Sequence, residues 1–299
     1  MVFNSTAQKR AANVQRTAGR RRRESTSGRK PPGESDLAAS RIILADHLRE
    51  EHIIGLAEER YLLVCVPGYY RRHLCERAAR RIKSHPRFGY YGNAPDIGRA
   101  GIAFFETVDA DYALKERYYS EAQQTIADLR EVFFPYQSPM DHLRLEVQEL
   151  WPNDAPLMNL DGRPMFVGLP RVFKDGGEAE PHQDILRRDA PNCARAHELI
   201  TQVGGNIYLE TSGSGGELEV WNEIFTDAEY EAARIPGSYG LDRSRIPAPA
   251  VTVRPEVGDL ILFNANHIHA VRSANDGARV TISCFIGYRG RHQPLCFWS

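Results

Sequence analysis

Between residues 257 and 288 the sequence leaves little freedom of local structure. Leu260-Ile261-Leu262-Phe263 is a short apolar run behind Pro255-Glu256-Val257-Gly258-Asp259, the pattern of a turn feeding a buried strand. Asn275-Asp276-Gly277 follows and predicts a hairpin turn. Residues 278–288, ARVTISCFIGY, then form a second strand, rich in β-branched and aromatic residues. The same character extends back to Pro164. Residues 164–173, 205–209 and 217–221 each have the length and composition of a strand, and Asp175-Gly176-Gly177 marks a turn. The second half of the chain is therefore expected to build one large β domain.

Within that half, Pro181-His182-Gln183-Asp184 places two chemically active side chains side by side. Side chains alternate along a strand, so His182 and Asp184 share a face while Gln183 turns away. One more histidine from a distant strand would complete a 2-His-1-carboxylate triad, which holds Fe(II) from one side and leaves positions for a bidentate 2-oxoacid and for O2. His269, just past the apolar run, is the expected third ligand. Arg279 lies ten residues further on at the start of the last long strand, with Thr281 on the same face. An arginine fork pairs bidentately with a carboxylate and a neighbouring hydroxyl adds a hydrogen bond, which suits the distal carboxylate of 2-oxoglutarate. Arg171 is a basic residue in an otherwise apolar strand. It either faces solvent or binds a carboxylate of co-substrate or substrate. His267-Ile268-His269 places two imidazoles on one face of the expected strand. The interval to Arg279 favours His269 as the ligand and leaves His267 at the rim or in support.

These residues, His182-x-Asp184, His269 and Arg279-x-Thr281, resemble in order and approximate spacing the signature of Fe(II)/2-oxoglutarate-dependent oxygenases. The resemblance implies a double-stranded β-helix (jelly-roll) core with flanking α-helices, and Fe(II), 2-oxoglutarate and O2 as cofactor and co-substrates. Several stretches are closer still to the aliphatic halogenases that act on hapalindole-type alkaloids. They are Arg171-Val172-Phe173, Gly215-Gly216-Glu217-Leu218-Glu219-Val220-Trp221-Asn222, Gly258-Asp259-Leu260-Ile261-Leu262-Phe263-Asn264 and the terminal Trp298-Ser299. One departure matters for the chemistry. Those halogenases carry glycine where this chain has Asp184, and the missing carboxylate makes room for a halide on the iron. With Asp184 present, the resemblance implies hydroxylation, or desaturation or cyclisation after hydrogen abstraction, rather than halogenation.

Ahead of the β half, 299 residues leave room for bracing helices. A capped helix is expected from Ser35-Asp36 to about His52, with Leu37, Ile42, Ile43 and Leu48 as its apolar positions, then a strand over 61–66. Further helices are expected over 71–84, 109–133 and 140–150, and a rim loop over 88–99. Residues 223–248 are long for a connection inside a β domain, with a helix over 227–234, and read as a lid over the substrate. Arg187-Arg188-Asp189, just after the triad carboxylate, reads first as a solvated loop, with a face toward substrate as the other reading.

Residues 1–36 are expected to be a disordered basic tail with Arg20-Arg21-Arg22-Arg23 and Gly28-Arg29-Lys30, too polar to bury a core, and 37–299 the oxygenase domain. Counted through residue 38, nine basic side chains face three acidic ones. The rest of the chain is then mildly acidic, which argues against a nucleic-acid groove. No run reaches the roughly 18 apolar residues of a membrane span. The five cysteines form no Cys-x-x-Cys pair, as expected for reduced thiols in the cytoplasm. The function expected is oxidation of an unactivated C–H in a small molecule, a natural product or amino-acid derivative. The alternatives are an oxygenase acting on a protein or nucleic acid through the basic tail, and a non-catalytic jelly-roll metal-binding protein.

Overall fold

The computed structural model describes residues 41–108 and 112–299. The basic tail of 1–36 and the start of the first expected helix lie outside the described residues. Two-residue ladders aside, the strands are β1 (Ile42–Leu44), β2 (Leu63–Val66), β3 (Phe88–Tyr90), β4 (Ile97–Ala100), β5 (Leu169–Phe173), β6 (Ala179–His182), β7 (Thr201–Glu210), β8 (Leu218–Val220), β9 (Val251–Val253), β10 (Leu260–Asn264), β11 (His269–Val271), β12 (Arg279–Tyr288) and β13 (Cys296–Trp298). The longer helices are α1 (Glu50–Ala57), α2 (Arg72–Lys83), α3 (Tyr112–Phe133), α4 (Pro139–Leu150) and α5 (Asp227–Ala233).

A nine-stranded sheet runs β1-β2-β10-β7-β12-β5-β4-β3, with β13 also on β12. A four-stranded sheet runs β9-β8-β11-β6. The period of two sorts β12 cleanly. Val280, Ile282, Cys284, Ile286 and Tyr288 belong to the core shared with α1, α2, α3 and α4. Arg279, Thr281, Ser283 and Phe285 face the opposite way, into a cavity between the sheets. Neighbouring strands obey the same rule. Leu260 and Leu262 face the helices, while Ile261 and Phe263 pack with Leu218, Val220, Val251 and Val253 of the small sheet. One face of the large sheet is thus braced by helices, and the other forms half of the site.

Three expectations change. Ile42 and Ile43 lie in β1, parallel to β2, and not in a helix: adjacent β-branched residues favour an extended edge, and the helix starts only at Glu50. The expected rim loop over 88–99 is a β3–β4 hairpin, although its tip still reaches the cavity. Asp276-Gly277 takes the left-handed turn (φ 61° and 123°), yet it joins no hairpin. Strand β11 belongs to the small sheet and β12 to the large one, so the turn is a corner between sheets, and residues 274–275 pair with 214–215 instead. No disulfide links the five cysteines, all of them buried. Among the described residues no helix is long and apolar enough to cross a membrane.

Candidate active site

The small sheet brings the triad together. β11 and β6 are antiparallel with His269 opposite His182, which sets the two rings 4.3 Å apart between centroids. Strand β6 ends at His182. The Asp184 amide then donates to the Ala265 carbonyl at 3.0 Å, which fixes the carboxylate beside the rings. Asp184 Oδ2 is 3.2 Å from His269 Nε2 and Oδ1 is 3.9 Å from His182 Nε2. One ligand atom from each of the three residues lies within 4.8 Å of the others, a spacing that could hold a metal ion.

The backbone also fixes which nitrogen of each ring is available. His182 Nδ1 lies 2.7 Å from the Glu180 carbonyl and His269 Nδ1 lies 3.0 Å from the His267 carbonyl. A carbonyl only accepts, so each Nδ1 donates to it and each ring turns its Nε2 toward the Asp184 carboxylate, leaving Nε2 as the nitrogen a metal ion would take. Burial, and next the nearby His269, push His182 down to about 4. Burial works to raise the Asp184 carboxyl, but the His269 hydrogen bond, the two imidazoles and Arg171 outweigh it and hold Asp184 below the usual carboxylate range. The His182 imidazole and the Asp184 carboxylate are therefore ready to donate to a cation at neutral pH.

The large sheet supplies the other wall. Arg279, 2% exposed, is stacked between Phe173 (4.8 Å) and Tyr208 (5.0 Å) and donates to the Tyr208 hydroxyl at 3.3 Å. Its Nε has no hydrogen-bond partner, and no carboxylate pairs with the guanidinium among the described residues. A buried cation left in this state calls for an anion. Thr281 sits on the same face two residues on, opposite Arg171 of β5 in register. Arg171 turns inward, its Nε donating to the Tyr91 hydroxyl at 3.4 Å, and so is not a solvent-facing residue. The cavity these groups line measures about 260 Å³.

The connection over 223–248 reaches the site as expected of a lid. Tyr239 packs edge-on against the His182 ring at 5.5 Å, and its hydroxyl accepts from the Glu180 amide at 3.1 Å. The amide of Leu241 donates to the Pro181 carbonyl at 2.8 Å, so this segment lies along β6 itself. At Gly240 the approach is so close that a Cβ would come within 2.2 Å of Glu180 Cβ. Arg188 clamps the lid from below, donating to Asp227 at 2.7 Å and to the Phe225 carbonyl at 3.3 Å, with its guanidinium over Tyr230.

Two sequence readings do not hold at this site. Arg188 and Asp189 line the cavity, because the one-turn helix Leu186–Asp189 turns them inward; only Arg187 is exposed. His267 does not share a face with His269. It precedes β11 in a turn, where alternation fails, and its ring lies 3.9 Å from Glu59, with burial and then Arg41 pushing it down to about 4. Ser283 and Asn206, hydrogen-bonded at 2.7 Å on the cavity face of β12 and β7, went unread. Extending the alternation from Arg279 and Thr281 would have found Ser283.

The comparisons with known proteins point to one enzyme class, the 2-oxoglutarate-dependent Fe(II) oxygenases. The sequence model of the 2OG-Fe(II) oxygenase superfamily matches residues 168–287, the span that contains the triad, Arg171, Arg279 and Thr281. The chain is 27% identical over 261 residues to L-gamma-glutamyl-L-propargylglycine hydroxylase of Streptantibioticus cattleyicolor, covering 83% of this chain and 92% of the relative. It is 26% identical to L-isoleucine 3(1)-dioxygenase of Pantoea ananatis, covering 80% and 83%. Its fold is similar to that of an N-substituted L-amino acid dioxygenase from Burkholderia ambifaria, with TM-score 0.52, 14% identity and coverage of 85% and 92%. The enzyme class uses Fe(II), 2-oxoglutarate and O2.

Proposed function

We propose that His182, Asp184 and His269 hold Fe(II), that Arg279 with Thr281 takes the distal carboxylate of 2-oxoglutarate, and that the chain hydroxylates an unactivated C–H of a small natural product or amino-acid derivative. The observation that carries this reading is the pair of Nδ1–H groups tied to backbone carbonyls, which aims both Nε2 atoms and the Asp184 carboxylate at one point. The orphaned Arg279 Nε supplies the matching anion site on the facing wall.

When bound, iron and the keto acid supply O2 activation coupled to decarboxylation of 2-oxoglutarate to succinate and CO2, and the removal of hydrogen from a substrate carbon. The residues do the positioning. Arg279, fixed between two rings, orients the keto acid without reorganisation, and Tyr230 and Tyr239 line the same cavity. The names of the relatives, a hydroxylase of a γ-glutamyl amino acid and a dioxygenase of isoleucine, support a substrate of amino-acid character. The halogenase-like stretches are a likeness of sequence, and Asp184 occupies the place a halide would need.

Product analysis tests the outcome. Turnover in excess chloride is expected to add one oxygen atom to the substrate and no chlorine, and to stop in Asp184→Ala; a chlorinated product contradicts the hydroxylase reading. Deletion of residues 1–36 is expected to leave turnover unchanged.

A further inference from the structure

Besides the triad, four charged side chains line the cavity: Arg171, Arg188, Asp189 and Arg279. Two of them are already accounted for. Arg279 faces the co-substrate, and Arg188 is engaged by Asp227, the Phe225 carbonyl and the Tyr230 ring. Arg171 and Asp189 remain. Arg171 has a neutral partner, the Tyr91 hydroxyl, at the long distance of 3.4 Å. Asp189 accepts no hydrogen bond among the described residues, and burial, with Asp184 nearby, pushes its carboxyl up to about 7. The two sit on different elements, Arg171 on β5 opposite Thr281 and Asp189 in the turn of helix just after the triad carboxylate, and they form no ion pair with each other.

Two opposite charges held apart in one half-buried cavity are costly unless a ligand answers both. We propose that they read a zwitterion: the substrate's ammonium group sits on Asp189 and its carboxylate on Arg171, so the cavity selects an amino acid, or a small derivative in which both groups are unblocked. This rests on the oxygenase reading above and names the substrate class of that site. An ammonium on Asp189 would also keep that carboxylate ionised, and the aromatic walls of Phe105, Tyr230 and Tyr239 would enclose the side chain between the two charged ends.

The test measures initial rates of succinate formation by the Fe(II)-loaded full chain with 2-oxoglutarate and O2. The probes are free aliphatic L-amino acids and their γ-glutamyl conjugates, each beside its N-acetyl and its C-terminal amide counterpart. The free compounds are expected to raise the rate above that without substrate, and blocking either end to lower kcat/KM at least tenfold. Asp189→Asn is expected to shrink the gap between free and N-acetyl compounds, and Arg171→Gln the gap between acids and amides, a crossed pattern that a merely structural role would not give. Blocked compounds that work as well as free ones, or a panel in which nothing raises the rate, would overturn the zwitterion assignment. The visible band of iron-bound 2-oxoglutarate in the same samples separates the two failures: if it is present, the oxygenase site stands and only the substrate class is lost.

Discussion

Arg279 is the residue whose surroundings make least sense without a ligand, and its replacement gives the sharpest kinetic prediction. Lysine keeps the charge but loses the planar fork that stacks on Phe173 and Tyr208. A hydrogen bond to a charged group contributes about 1.5–3 kcal/mol. Arg279→Lys should therefore raise the KM for 2-oxoglutarate on the order of ten- to a hundredfold with a smaller change in kcat, as measured by succinate formation. Asp189 predicts a pH dependence. Its folded carboxyl, pushed up to about 7, keeps a proton that the unfolded chain releases near the ordinary aspartate value of about 3.9. The folded state then binds more protons between these values, so this group's cost to stability builds as pH rises from about 4 and is complete above about 7. Asp189→Asn should gain Tm over wild type in the metal-free protein, by more at pH 8 than at pH 5; a difference that does not vary with pH contradicts the assignment.

At the scale of elements, the lid depends on two local devices. Thr226 caps α5, accepting from the Glu229 amide at 3.3 Å while Glu229 accepts from the Thr226 amide at 2.8 Å, and Arg188 ties the first turn of α5 to the cavity floor. Arg188→Ala should release the lid, raising the substrate KM and the succinate formed per product, while the iron–keto acid band persists. Equal coupling in the variant would show that the clamp is dispensable. The lid also shows where sequence reading stops. Its helix was legible from Asp227 onward, and its length marked it as functional. The contacts of Tyr239 with His182 and of Leu241 with Pro181 depend on tertiary approach, which no local pattern encodes. Arg279-x-Thr281 was legible because alternation holds along β12, whereas Asp184 lies past the end of β6 and is set beside the rings by its amide bond to Ala265. The alternation of His267 with His269 failed because a turn, invisible in the apolar pattern, intervenes.

For the whole molecule, the large sheet serves as both scaffold and one wall of the cavity. β12 carries core residues on one face and cavity-lining residues on the other, so Ile282, fully buried, lies between Thr281 and Ser283 in sequence and behind them in space. Ile282→Ala should cost about 2–5 kcal/mol of unfolding free energy in a denaturant titration. Sheet order was not legible. That β11 and β12 lie in different sheets, although only a short segment separates them, follows from the corner at Asp276-Gly277, whose sequence equally suits a hairpin. We propose that the two sheets close around one iron held by His182, Asp184 and His269 with 2-oxoglutarate on it, and this can be tested without a substrate. Metal-free protein is titrated anaerobically with Fe(II) and 2-oxoglutarate while the weak visible charge-transfer band of a chelated keto acid is followed. The account predicts the band in wild type and in His267→Ala and its loss in His269→Ala; iron binding without a band in wild type would contradict it.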